Sequence, residues 1–255
     1  MNKPILELKD VQTIVNQGTS QAATILKKIN LQINAGDFIT IVGTNGAGKS
    51  TLFNVISGLL PVNSGQIFHN GKDVTKLSEE EHTRFLSRVF QDPKMGTAPR
   101  MTVAENLLLA AKRGERRHFY PRNLKAHKAH FQQLAATMHN GLDQHLNTPA
   151  GALSGGQRQA LSFLMAVLKR PDIILLDEHT AALDPHTSMA LMQTTNQYIQ
   201  KEHLTALMIT HQLEDALKYG NRILVLNQGQ IKVDMTGNAR KQLTAEKLYD
   251  YLVAK

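Results

Sequence analysis

Two glycine-bearing segments carry residue types suited to handling phosphate. The first, Gly43-Thr44-Asn45-Gly46-Ala47-Gly48-Lys49-Ser50, fits G-x-x-x-x-G-K-[ST] and follows the apolar run Phe38-Ile39-Thr40-Ile41-Val42. Its glycines let the backbone curl until N–H groups converge on phosphate oxygens at a helix N-terminus. Lys49 supplies a cation to the β- and γ-phosphates, the Ser50 hydroxyl suits a Mg²⁺ ligand, and Thr51 adds a donor. The second segment is Leu153-Ser154-Gly155-Gly156-Gln157. Ser154 is a good N-cap, so the helix behind it offers N–H groups to an anion.

Carboxylates, an amide and an imidazole complete the chemical set. Asp177 and Glu178 end the apolar run Ile173-Ile174-Leu175-Leu176. Adjacent acids at a strand end can divide two tasks: Asp177 holds Mg²⁺ through water while Glu178 takes a proton from the attacking water. Gln91, in Val89-Phe90-Gln91-Asp92-Pro93, offers an amide to Mg²⁺ and water. His211 follows Ala206-Leu207-Met208-Ile209, where it is suited to bond the γ-phosphate. The other histidines, His118, His127, His130 and His145 among them, read as solvated. No nucleophile-elbow pattern supports a Ser-His-Asp hydrolase.

These residues need strands that end together. Ile5–Val11, Ile25–Ile33 and Phe38–Val42 read as strands, and Asn70-Gly71 marks a tight hairpin. A helix after the glycine loop should bury Leu52, Phe53, Val55, Ile56, Leu59 and Leu60 and stop at Pro61. From about Asp92 to Ala152 the pattern turns helical, with Val103–Ala111 and Leu124–Met138 as helices of an inserted lobe. Gln157–Leu168 reads as a buried helix. Strands at Ile173–Leu176 and Ala206–Ile209 and a hairpin around Gln228-Gly229 follow. Alternating strands and helices predict an α/β fold with a mainly parallel sheet, its ligand at the strands' C-terminal ends.

Composition narrows the classes. The 255 residues suit one α/β domain with a smaller lobe. The absence of Cys excludes disulfides and thiolate zinc sites. The N-terminal residues lack a signal peptide's apolar region, and no apolar run nears the ~20 residues that span a bilayer. The net charge of +8 owes much to Lys112, Arg113, Arg116, Arg117, Arg122, Lys125 and Lys128, which face Glu115. They read as a solvated helical face, with contact to lipid headgroups or a membrane partner as the alternative. Sparse aromatics argue against nucleic acid.

Together the motifs resemble the ATP-binding-cassette (ABC) ATPases over essentially the whole chain. The Walker A loop is Gly43–Thr51, the Q-loop Gln91, the signature Leu153–Gln157, and Walker B ends at Asp177 with Glu178 as base. The D-loop is Ala181-Ala182-Leu183-Asp184 and the switch histidine His211. The resemblance implies a P-loop NTPase core (1–91 and 158–255) with an N-terminal antiparallel β subdomain, and a helical subdomain at 92–157. It implies ATP and Mg²⁺ as cofactors, with Ser50, Gln91 and Asp177 as metal residues. It also implies a head-to-tail dimer in which ATP on one copy's loop, including Asn45 and Ala47, is closed over by Ser154, Gly155, Gly156, Gln157 and Asp184 of the other.

The chain looks most like stand-alone ATPase subunits of bacterial amino-acid importers. That implies an integral membrane permease, docked near Asp92–Val103, an extracytoplasmic substrate-binding protein, and a peripheral place on the cytoplasmic face of the membrane. No regulatory domain is expected beyond the last hairpin. An ABC exporter, or a non-transport ABC ATPase acting on nucleic acid or ribosomes, is the alternative. Two features depart from the family. No aromatic stands near Val15, where one usually stacks on adenine, so modest affinity and weak ATP-over-GTP discrimination are expected. His179 follows Glu178, where Pro is commonest.

Overall fold

The computed structural model describes residues 3–115 and 123–253. The strands are β1 (Leu6–Val15), β2 (Ala23–Ile33), β3 (Phe38–Val42), β4 (Ser64–His69), β5 (Lys72–Asp73), β6 (Leu86–Val89), β7 (Ile173–Asp177), β8 (Thr205–Ile209), β9 (Arg222–Asn227) and β10 (Gln230–Thr236). The helices are α1 (Lys49–Ile56), α2 (Glu79–His82), α3 (Pro93–Gly96), α4 (Val103–Ala111), α5 (Leu124–Ala136), α6 (Gly155–Val167), α7 (Pro185–Lys201), α8 (Leu213–Lys218), α9 (Gly237–Lys241) and α10 (Ala245–Val253). Two compact units emerge: one runs to His82 and resumes at His203, and the other is Thr83–Glu202. Among the described residues no helix is long and apolar enough to cross a membrane.

The first unit holds an antiparallel sheet in the order β2-β1-β4-β5. In β2, buried Ile29, Leu31 and Ile33 alternate with exposed Asn30 and Gln32, the two-residue period of a sheet with one covered face. Asn70 and Gly71 (φ 49° and 74°) form the expected tight turn between β4 and β5. A second group of strands centres on β3, which is parallel to both β8 and β9, while β10 adds antiparallel to β9. Every residue of β3 is buried, as a central parallel strand requires. The turn at Gln228-Gly229 presses on β2: a Cβ at Gly229 would stand 1.9 Å from the Ile25 carbonyl oxygen.

Helix α1 is shorter than its sequence suggests. Leu52, Phe53, Val55 and Ile56 are buried, but Leu59 is 48% exposed and neither Leu59 nor Leu60 is helical. Gly58, at φ 75° just past the C-cap Ser57, ends the helix before Pro61 can.

In the second unit β6 and β7 pair in parallel, from Leu86 opposite Ile173 to Val89 opposite Leu176. α4 begins with a reciprocal capping box between Thr102 and Glu105. α6 is buried nearly all round, and two of its buried polar side chains are bonded: Arg158 Nε donates to Thr97 Oγ1 (2.8 Å) and Gln159 Nε2 to the Phe90 carbonyl (3.0 Å). The basic segment is not a uniformly solvated face. The Arg113 guanidinium donates to the carbonyls of Ala166 (3.0 Å) and Lys169, closing the C-terminal end of α6, and burial lowers its pKa. Arg116, Arg117, His118 and Arg122 lie outside the described residues.

Candidate functional site

The phosphate loop leaves the C-terminal end of β3. A Cβ at Gly43 would lie 2.3 Å from the Leu226 carbonyl oxygen, so only glycine passes this close to β9. Gly46 has open space around it and φ 79°, so its requirement is backbone conformation. Gly48, at φ 101°, caps α1 without a side-chain bond. Lys49 is buried, and its ammonium donates to the carbonyls of Gly43 (2.8 Å) and Thr44 (3.1 Å), inside the curve of the loop. Asn45 and Ser50 are exposed, Ala47 is buried, and Thr51 is half-buried. His211 lies just beyond β8, whose Ile209 pairs with Ile41 of β3. The loop and His211 thus leave neighbouring parallel strands at their C-terminal ends, where open α/β sheets bind ligands.

The second unit repeats that placement. Gln91 follows β6 and is exposed; Asp177 ends β7 and Glu178 follows it, both partly shielded from solvent. With Val89 opposite Leu176, these residues emerge side by side. The sequence reading missed their companion. Arg88, near the end of β6, donates Nη2 to Asp177 Oδ2 at 2.5 Å, and both side chains are largely buried. Its guanidinium also lies 4.9 Å from the centre of the Phe90 ring. The available signal was a lone cation in Leu86-Ser87-Arg88-Val89, where a buried strand should be apolar.

Glu178 adopts φ 46°, a left-handed conformation that costs on the order of 1–3 kcal/mol for a non-glycine residue. Its carbonyl accepts from Ala181 N (2.9 Å), closing a tight turn. The neighbouring His179 is 2% exposed and its Nε2 has no partner among the described residues. Burial pushes its pKa down to about 4.

Ser154 is the N-cap of α6. Its Oγ accepts from Gln157 N while Gln157 Oε1 accepts from Ser154 N, both at 3.3 Å. The Gln157 amide also donates to the Asn140 carbonyl (3.2 Å), so that side chain is engaged within its own chain. The two glycines behind Ser154 face the D-loop and α7: a Cβ at Gly155 would touch Leu183, and one at Gly156 would strike Thr187 Cγ2 at 2.4 Å. Asp184 caps α7, its Oδ1 accepting from Thr187 N (3.1 Å), and hydrogen bonding to Thr187 lowers its pKa.

A family model described as "ABC transporter" matches residues 26–181. The chain belongs to the ABC transporter family. The cassette is 39% identical to a tyrosine transport ATP-binding protein of Clostridioides difficile (strain R20291), over 96% of this chain and 98% of that one. It is 34% identical to the phosphonates import ATP-binding protein PhnC of Lactobacillus acidophilus, over 91% and 90% of the two chains. Among solved structures it is similar to a dimeric post-hydrolysis state of the ATP-binding cassette MJ0796 bound to ADP and Pi. There the TM-score is 0.77 and the identity 27%, over 91% of this chain and 98% of that one. The cassette is thus an ABC ATPase, a nucleotide-binding protein of the kind that powers transport.

Taken one by one, the donor types suit Mg²⁺. Ser50, Gln91 and Asp177 offer hard oxygen atoms, and no group of three His, Cys, Asp or Glu among the described residues stands ready to cage an ion. Mg²⁺ is held in this sparse way, by one or two carboxylates plus substrate phosphates.

Proposed function

We propose that this cassette is the ATP-hydrolysing subunit of a membrane importer of amino acids or similar small solutes. The observation that carries the reading is the likeness, along nearly the full length of both chains, to the tyrosine transport protein of C. difficile. The relative named for phosphonates widens the range of cargo from which this choice is made.

The backbone N–H groups from Gly43 to Gly48 cradle the phosphates, and Lys49 exchanges its loop carbonyls for phosphate oxygens. Ser50, Gln91 and Asp177 would hold Mg²⁺, which when bound would neutralise phosphate charge. Glu178 accepts the proton of the attacking water, and His211 bonds the γ-phosphate. Ser154, Gly155, Gly156, Gln157 and Asp184 of a second copy close over the nucleotide, so ATP assembles the dimer and hydrolysis releases it. The dimeric state named for the MJ0796 cassette supports this step.

The membrane permease docks beside Asp92–Val103. Met95, within that segment, is 70% exposed and so accessible to a partner. The cassette then lies peripherally on the cytoplasmic face of the membrane, in a system completed by an extracytoplasmic substrate-binding protein. The test is gentle solubilisation of native membranes followed by mass spectrometry of what co-purifies with the tagged chain. A polytopic membrane protein together with an amino-acid-binding protein is expected. Recovery with ribosomes or DNA-associated proteins from the soluble fraction alone overturns the transport reading.

A further inference from the structure

We infer that Arg88 is an internal counter-ion that competes with the divalent metal for Asp177. The inference rests on the proposed role of Asp177 in holding Mg²⁺. Three observations support it.

First, the contact is close and sheltered. Nη2 of Arg88 stands 2.5 Å from Asp177 Oδ2, with the side chains 11% and 13% exposed, so solvent screens the pair weakly. Second, the partners are set by backbone pairing. Arg88 and Asp177 lie near the ends of the paired parallel strands β6 and β7, with Arg88 opposite Leu175. Third, the guanidinium packs against the Phe90 ring, and Phe90 precedes Gln91. One cation therefore touches the Walker B carboxylate and the residue next to the Q-loop amide.

The consequence is electrostatic. A carboxylate that already faces a full positive charge offers a dication less attraction, and the two cations repel. Without metal, Arg88 spares Asp177 the cost of a sheltered, unpaired charge. When metal arrives with nucleotide, the carboxylate is shared or exchanged. Arg88 thus raises the Mg²⁺ concentration needed for loading and steadies the empty cassette.

The experiment uses the full chain, with ADP binding measured by calorimetry across a series of Mg²⁺ concentrations, and thermal melting in EDTA as a metal-free readout. Arg88→Met should lower the half-saturating Mg²⁺ roughly threefold or more, and Arg88→Lys, which keeps the charge, should stay near wild type. In EDTA, Asp177→Asn should lower the melting temperature by stranding the guanidinium. Adding Arg88→Met to Asp177→Asn should recover part of that loss. An unchanged or raised Mg²⁺ requirement in Arg88→Met, or additive melting shifts, overturns the inference. If Asp177→Asn keeps the wild-type Mg²⁺ dependence, the metal role of Asp177 fails instead. The melting cycle then reports on the ion pair alone.

Discussion

Gly156, in the signature segment, stands directly against Thr187 of α7: a Cβ on the glycine would lie 2.4 Å from the threonine Cγ2. Nothing in the backbone of Gly156 demands glycine, since it is an ordinary α6 residue without positive φ. Its small size serves packing between the signature helix and the helix that follows the D-loop. Gly156→Ala should therefore cost about 1–3 kcal/mol despite the better helix propensity of alanine. Removing the opposing methyl with Thr187→Ser should restore most of it. Chemical denaturation of the two single variants and the double variant checks this. Additive losses would show that the contact is not the cause.

Glu178 sits in a strained turn, with His179 rather than a rigid proline ring at the next position. Glu178→Gln keeps the size and the backbone and removes only the base. Hydrolysis should fall by ~10²-fold or more, while ATP binding persists and a closed dimer accumulates. Single-turnover hydrolysis and size-exclusion chromatography with ATP are the measurements, and wild-type turnover would exclude Glu178 as the base.

Lys49 already sits inside the loop, bonded to the carbonyls of Gly43 and Thr44. Lys49→Ala should weaken nucleotide binding with little change in fold, because the proposed role of the cation is to meet the phosphates. Calorimetric titration with ATP tests the role, and unchanged affinity refutes it.

The end of β1 carries no aromatic ring. Val15 is half-buried, and Asn16, Gln17, Gly18, Thr19 and Ser20 are exposed. Base stacking is worth about 1–3 kcal/mol in other nucleotide-binding settings. ATP and GTP should therefore bind within a few-fold of each other. Val15→Tyr should tighten ATP binding, and competition between the two nucleotides measures it. A strong preference for ATP in the wild-type chain would contradict the expectation.

His179 gives the fold an acid sensitivity. Burial holds its pKa near 4, below the ordinary 6.5, so the unfolded chain takes up the proton first. This contribution to stability is full above pH 6.5 and is lost as pH falls toward 4, by up to about 3 kcal/mol. His82, whose pKa burial also lowers, acts in the same direction. His179→Leu should flatten the dependence of the denaturation midpoint between pH 6.5 and 4.5. An equally steep profile in that variant would place the sensitivity elsewhere.

Sequence alone determined the family and the order of the chemical residues, because those depend on local pattern. Phe38–Val42 is apolar throughout and runs into Gly43, and that spacing requires strand, loop and helix whatever surrounds them. Val103–Ala111 was legible for the same reason, its Thr102 and Glu105 forming a local cap. α7 was not, because Ser188 and Thr195 share its buried stripe with Leu191, Met192 and Ile199 and dilute the apolar period. The early stop of α1 depended on Gly58 adopting a left-handed conformation, which competes with the apolar continuation at Leu59 and Leu60. Only the tertiary structure decided that Arg88 meets Asp177, that Arg113 closes α6, and that Gly156 abuts Thr187. Each contact joins residues far apart in sequence, brought together by strand register or helix packing, which local spacing does not encode.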